Sequence, residues 1–299
     1  MQESVNQVKV FRTSKLRDRF DELTVPILTI CPAAILLILF FLIPMLVALR
    51  YSLMSSMPFF DPNPYYTFGN YLRVITEPIY FNAFIRTGGY AVVATVISLL
   101  ISYPAAYYLA RISRRGSLLL LALLIPFWTS LILRVFAWKI ILGSSGILNW
   151  LLISLGLIDS PVQFLYSGTG VIFGLVYTYT PYMILPLYAS LGKVRNELLQ
   201  ASEDLGANKF QTWIRITLPL TSSGTVSGII LVLLASFGDV LSSQILGGTN
   251  TLMISSVIFE TFMGGANWTT GSALAVVVFL ALLILAAIIA RLGKETEYA

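Results

Sequence analysis

The sequence predicts an all-α membrane protein with six transmembrane helices, and three observations predict it. Of 299 residues, 57% are hydrophobic and only 11% charged, whereas a soluble domain carries roughly 25% charged residues. The mean hydropathy is +0.83. Six stretches also reach the ~20 apolar residues that a helix needs to cross the hydrocarbon core: roughly 25–49, 84–110, 118–142, 168–192, 221–241 and 270–291. Finally, Lys and Arg are partitioned between alternate connecting segments.

That partition sets the expected topology. Of the 19 Lys and Arg residues, all but Arg50, Arg73, Arg86, Arg134 and Lys139 fall in or beside segments one, three, five and seven (1–24, 111–117, 193–220 and 292–299). Cytoplasmic loops carry the cationic excess, so both termini are expected in the cytoplasm. The expected organisation is a cytoplasmic segment 1–24, a transmembrane domain 25–292 and a cytoplasmic tail 293–299. Residues 1–23 are polar and the first apolar run is long, so no cleavable signal peptide is expected and span one is retained.

Span one holds Cys31, the single cysteine, expected as a small packed hydrophobe. Prolines punctuate spans one to four: Pro26, Pro32 and Pro44, then Pro104, Pro126, and Pro181 with Pro186. They are either ordinary membrane-helix irregularities or hinges. Residues 143–165 lack Lys and Arg, and ILNWLLISLGLI within them is too short to span. It reads as a short helix lying on or dipping into the outer interface. Segment 242–269 has paired glycines at both ends and suits a broken helix pair buried in protein.

Composition excludes several activities. There is no histidine, which removes Ser–His and Cys–His nucleophiles and the usual zinc sites. No G-x-x-x-x-G-K-[ST] occurs, so the chain has no P-loop for ATP. The net charge of +5 follows membrane topology, and no nucleic-acid partner is expected.

Two acids stand at membrane depth, Asp239 in SFGDVLSS and Glu260 in VIFETF. Such groups usually face a cavity or a partner. Either they line a path for a cationic solute, or Asp239 sits at the outer interface or bridges to Arg134 or Lys139. Tyr177, Tyr179 and Tyr182 in YTYTPY offer aromatic faces to a cation, or act as interface anchors. These residues alone also fit a secondary carrier or channel coupled to ions through Asp239.

The longest charged interruption is 193–219, KVRNELLQASEDLGANKFQTWIRITLP. It reads as two short helices joined at a glycine. Asn196 is the expected N-cap, with Glu197 in the first turn. Gly206 ends the first helix. Asn208 and Gln211 form a capping box for the second, and Pro219 closes the segment. Leu198, Ala201 and Leu205 make one apolar stripe; Phe210, Trp213 and Ile214 make another.

This elbow is similar to the cytoplasmic loop of permease subunits of binding-protein-dependent ABC importers, with pattern E-A-A-x-x-x-G-x(9)-I-x-L-P. The pattern falls on Gln200, Ala201, Ser202, Gly206, Ile216, Leu218 and Pro219, with Gln and Ser in place of Glu and the second Ala. Glu203 and Asp204 are candidates to supply the missing charge. Residues 125–152, 155–159, 174–191, 246–258 and 267–277 resemble the spermidine/putrescine permease branch. The resemblance implies a type I ABC importer permease fold in a bacterial inner membrane. It also implies a second permease subunit, two cytoplasmic ATPase subunits that hold ATP and Mg, and a periplasmic solute-binding protein. No cofactor is expected in this chain, and no enzymatic activity of its own. The implied cargo is a polyamine or a related cationic or zwitterionic compound.

Overall fold

A computed structural model describes residues 31–57, 59 and 61–295. The expected cytoplasmic segment 1–24 and most of the tail 293–299 lie outside that range. Among the described residues the secondary structure is helical, apart from one isolated bridge between Met54 and Tyr66. The helices are α1 (Cys31–Ser52), α2 (Gly69–Thr76), α3 (Pro78–Ile112), α4 (Gly116–Leu124, with a 3-10 turn Ile125–Trp128) and α5 (Leu131–Leu142). They continue with α6 (Ile147–Ser154), α7 (Gly168–Leu191), α8 (Asn196–Asp204) and α9 (Lys209–Leu220). The last are α10 (Ser222–Phe237), α11 (Leu241–Leu246), α12 (Ile254–Met263) and α13 (Trp268–Glu295).

Among the described residues five helical stretches are long and apolar enough to cross a membrane, and the α9–α10 pair, bent by 66°, makes a sixth if counted as one span. One expected span differs. The sequence suggests a continuous helix over 118–142, but Pro126 lies in a 3-10 turn and the helix stops at Thr129 and Ser130 before α5 begins. The long apolar stretch here is Leu131–Ser154, formed by α5 and α6.

The centre is built from α3, α7 and α10. Tyr103 and Ala106 of α3, Met183, Leu187 and Leu191 of α7, and Val232 of α10 form one buried cluster. Close approach depends on glycine: a Cβ on Gly224 would sit 2.3 Å from Ser190 Cβ and 2.6 Å from the Pro186 carbonyl. Pro104, Pro181 and Pro186 lie inside their helices, so proline does not end them here. A second cluster joins α3, α10, α12 and α13 through Ala91, Phe237, Ile254 and Leu274.

Segment 242–269 folds back into the protein. Ser242, Ser243, Leu246, Met253 and Ile254 are buried. The broken backbone is satisfied internally: Ser243 Oγ accepts from the Met253 amide at 3.0 Å, and Thr87 Oγ1 accepts from the Ile254 amide at 2.8 Å. α1 has the opposite character, with Ile35 to Ile43 all largely exposed. Cys31 is exposed too, which corrects the expectation of a packed thiol.

Candidate functional site

Two regions carry the chemistry: the elbow, and a cavity walled by α4, α5 and α7.

The elbow forms as its local sequence dictates. Gly206 adopts φ +84°, the left-handed conformation that glycine enters without a Cβ penalty. The Gly206 amide donates to the Glu203 carbonyl at 2.9 Å and the Ala207 amide to the Ser202 carbonyl at 3.1 Å. This is the paired closure of a Schellman motif. Asn208 and Gln211 then form the expected capping box, each side chain accepting from the other's backbone amide.

One elbow expectation is corrected. Asn196 is not the N-cap; it is the first residue of α8, and Arg195 occupies the cap position without a side-chain cap bond. The Asn196 side chain instead accepts from Arg111 of α3.

The motif residues divide by exposure. Gln200, Ala201, Glu203, Asp204, Gly206, Leu218 and Pro219 face outward, whereas Ile216 is half-buried. Ser202 is buried and its hydroxyl lies 2.9 Å from that of Thr212. Of the apolar stripes, Leu198, Ala201 and Leu205 are exposed, as are Phe210 and Ile214. Leu205 is 89% exposed and Phe210 67%. Trp213 instead turns inward, edge-on to Tyr103 at 5.6 Å.

The cavity, about 430 Å³, is lined by Phe127, Trp128, Leu131, Arg134, Thr178, Tyr179, Pro181, Tyr182 and Leu185. Tyr179 and Tyr182 pack together, ring centroids 5.9 Å apart. Behind Tyr179 lies Asp239, only 4% exposed. Its carboxylate accepts from the Tyr179 hydroxyl at 3.0 Å, the Ser242 amide at 2.7 Å and the Ser242 hydroxyl at 2.9 Å. A buried carboxylate is tolerated when donors satisfy it in this way. Among the described residues the ion pairs are Arg73–Glu77 and Arg195–Glu197, so Asp239 bridges to neither Arg134 nor Lys139.

The other expected path residues are not brought together. Tyr177 packs against Phe127 at 5.7 Å and Trp138 at 5.3 Å. Glu260 is exposed near the end of α12, whereas Ser255 of the same helix donates to the Asp239 carbonyl at 2.7 Å. Arg134 enters the sequence reading only as a candidate bridging partner of Asp239. It lines the cavity, 5.1 Å from the Phe127 ring centroid, with Nε and Nη1 buried and without hydrogen bonds. The available signal was its charge within an apolar stretch. Among the described residues no three Cys, Asp or Glu side chains gather where they could hold a metal ion.

The family model for the binding-protein-dependent transport system inner membrane component matches residues 104–294. The chain belongs to this family. It is therefore a multi-pass inner-membrane component of a transport system, not an enzyme. The chain is 36% identical over 266 residues to the spermidine/putrescine transport system permease protein PotB of Escherichia coli, covering 87% of this chain and 96% of the relative. It is 38% identical over 276 residues to PotB of Haemophilus influenzae, covering 90% and 93%. It is 30% identical over 235 residues to the Escherichia coli inner membrane ABC transporter permease protein YdcU, covering 74% and 75%. A solved chain of a bacterial ABC transporter involved in alginate import superposes with TM-score 0.67 at 18% identity, covering 94% of this chain and 99% of that one. The fold is thus that of an ABC importer permease.

Proposed function

We propose that this chain is one of two permease subunits forming the path of an ATP-driven importer, and that its cargo is a polyamine or a related small cationic or zwitterionic solute. In this reading a periplasmic binding protein delivers the solute, and two cytoplasmic ATPase subunits bind and hydrolyse ATP with Mg. The elbow 193–219, with both termini, faces the cytoplasm and docks on one ATPase. The carrying observation is the elbow's exposed apolar tip, with Leu205 at 89% and Phe210 at 67% exposure beside the left-handed Gly206. Apolar side chains this exposed on a well-closed turn suit a partner's cleft. The PotB relatives are named for spermidine and putrescine transport, and Tyr179 and Tyr182 line the cavity with aromatic faces that suit an ammonium group, with the Asp239 carboxylate behind Tyr179.

Arg134 supports a second reading within the same class. A guanidinium lining the cavity repels a polycation at close range and attracts a carboxylate, which favours a solute carrying both charges.

The test is uptake into proteoliposomes holding the full complex and ATP, with labelled putrescine, spermidine and an ω-amino acid compared. ATP-dependent uptake of one of them supports the importer reading and selects the cargo. Uptake by this chain alone, driven by an ion gradient, would replace that reading with a secondary carrier coupled through Asp239.

A further inference from the structure

The elbow touches the membrane domain at two separated points on one helix. At its entry, Arg111, in the last turn of α3, reaches more than 80 residues along the chain. Its Nη1 donates to the Val194 carbonyl at 2.7 Å and its Nη2 to the Asn196 side chain. One guanidinium therefore grips both the turn that follows α7 and the first residue of α8. Val194 is itself buried, so this turn is seated and not free. At the elbow's exit, Trp213 lies edge-on to Tyr103 of α3, and the Tyr103 hydroxyl lies 3.0 Å from that of Thr221 at the α9–α10 bend. The two grips are eight residues apart, about 12 Å along α3 at 1.5 Å per residue.

The grips differ in chemistry. The Tyr103 contact is buried and packed among Met183, Leu187 and Val232, so it belongs to the core. The Arg111 contact lies at the surface end of α3 and depends on one fork-shaped cation. Arginine's planar fork delivers two parallel donors in a fixed geometry, which lysine cannot reproduce. Within the described residues, Arg111 is the side chain that hydrogen-bonds α3 to the start of the elbow.

We infer that Arg111 is a positioning residue for coupling: it ties the elbow's first helix to α3, so that displacement of the docked elbow moves α3 and not merely the elbow. This rests on the reading of 193–219 as the ATPase-docking segment. Without Arg111 the elbow's entry would be tied only to α7, through the seated Val194 turn, and a push on the elbow would reach α3 at the exit alone. A loop held at both ends moves with α3, whose inner face carries the packing against α7 and α10. The motion is rigid-body transfer through a packed element.

The experiment uses the whole complex in proteoliposomes, wild type against Arg111→Ala, Arg111→Lys and Asn196→Ala. Uptake of labelled putrescine and ATP hydrolysis are read in the same vesicles, alongside ATPase co-purification. Arg111→Ala is expected to keep ATPase binding and hydrolysis while uptake per ATP falls about tenfold, the scale of a lost charged hydrogen bond. Arg111→Lys and Asn196→Ala, each sparing part of the contact, fall in between. An unchanged ratio of uptake to hydrolysis in Arg111→Ala overturns the inference. So does loss of ATPase binding, which would make Arg111 part of the docking surface. A wild-type chain that binds no ATPase overturns the docking reading itself, which separates the two failures.

Discussion

The hydroxyls of Ser202 and Thr212 lie 2.9 Å apart, buried on the inner side of the elbow, ten residues apart across Gly206. Ser202 stands at a position where the related pattern has alanine, and it does not face outward. It bonds the elbow's two helices to each other.

This bond predicts a coupled pair. Ser202→Ala alone leaves the Thr212 hydroxyl buried without its partner, and Thr212→Val alone strands Ser202. Each single change is expected to cost about 1 kcal/mol, and the double change less than the sum. Thermal unfolding in detergent of the four proteins reads the cycle; strict additivity would refute the pairing.

Gly206 is the turn itself. No heavy atom outside its chain neighbours lies within 4 Å of a Cβ built there, so substitution meets backbone strain and not a clash. Gly206→Ala is expected to cost roughly 1–2 kcal/mol, and Gly206→Asn less, because asparagine tolerates the left-handed region. ATPase co-purification should follow the same order. Equal behaviour of Ala, Asn and Val variants would show that the turn does not matter.

Gly224 tests the contact between α7 and α10. With Ser190 Cβ at 2.3 Å and the Pro186 carbonyl at 2.6 Å from an added Cβ, Gly224→Ala forces the helices apart. The expected loss is about 1–3 kcal/mol, visible as a lower unfolding temperature in detergent. Gly89, where an added Cβ meets nothing within 4 Å, is the matched control and should tolerate alanine far better.

Asp239 and Tyr179 predict a graded effect on transport. Tyr179→Phe removes one of three donors to the carboxylate, a loss of about 1.5–3 kcal/mol for a bond to a charged group. Asp239→Asn removes the charge. Uptake of a cationic solute is expected to fall tenfold or more in Asp239→Asn and less in Tyr179→Phe, with the complex still assembled. Uptake kinetics unchanged in both would remove this pair from the path.

Much of this was legible in the sequence because it is local. Gly206 and the Asn208–Gln211 box depend on a few neighbouring residues, and the elbow's closure follows from them. The spans depend on apolar length, which is additive along the chain. The errors fall where distant residues decide. Asn196 has the right chemistry for an N-cap, but Arg111 claims its side chain and the helix starts one residue earlier than that role requires. The break at 129–130 follows Pro126, yet the prolines at 104, 181 and 186 are absorbed into continuous helices. Packing chooses between those outcomes. The sequence grouped Tyr177 with Tyr179 and Tyr182, but they part on the helix: Tyr177 enters an aromatic cluster with Trp138, whereas Tyr179 meets Asp239.

The central claim is that the exposed tip of the elbow docks on an ATPase, and one cross-link tests it. Cys31, the single cysteine, is replaced by serine, and a new cysteine is placed by Leu205→Cys at the 89% exposed tip. A second protein carries Tyr65→Cys, 67% exposed in the segment expected on the opposite face of the membrane. In the assembled complex, a short thiol-to-amine reagent is predicted to join the Leu205→Cys protein to the ATPase subunit and the Tyr65→Cys protein to the binding protein. An ATPase adduct from Tyr65→Cys and none from Leu205→Cys would contradict both the docking role and the topology.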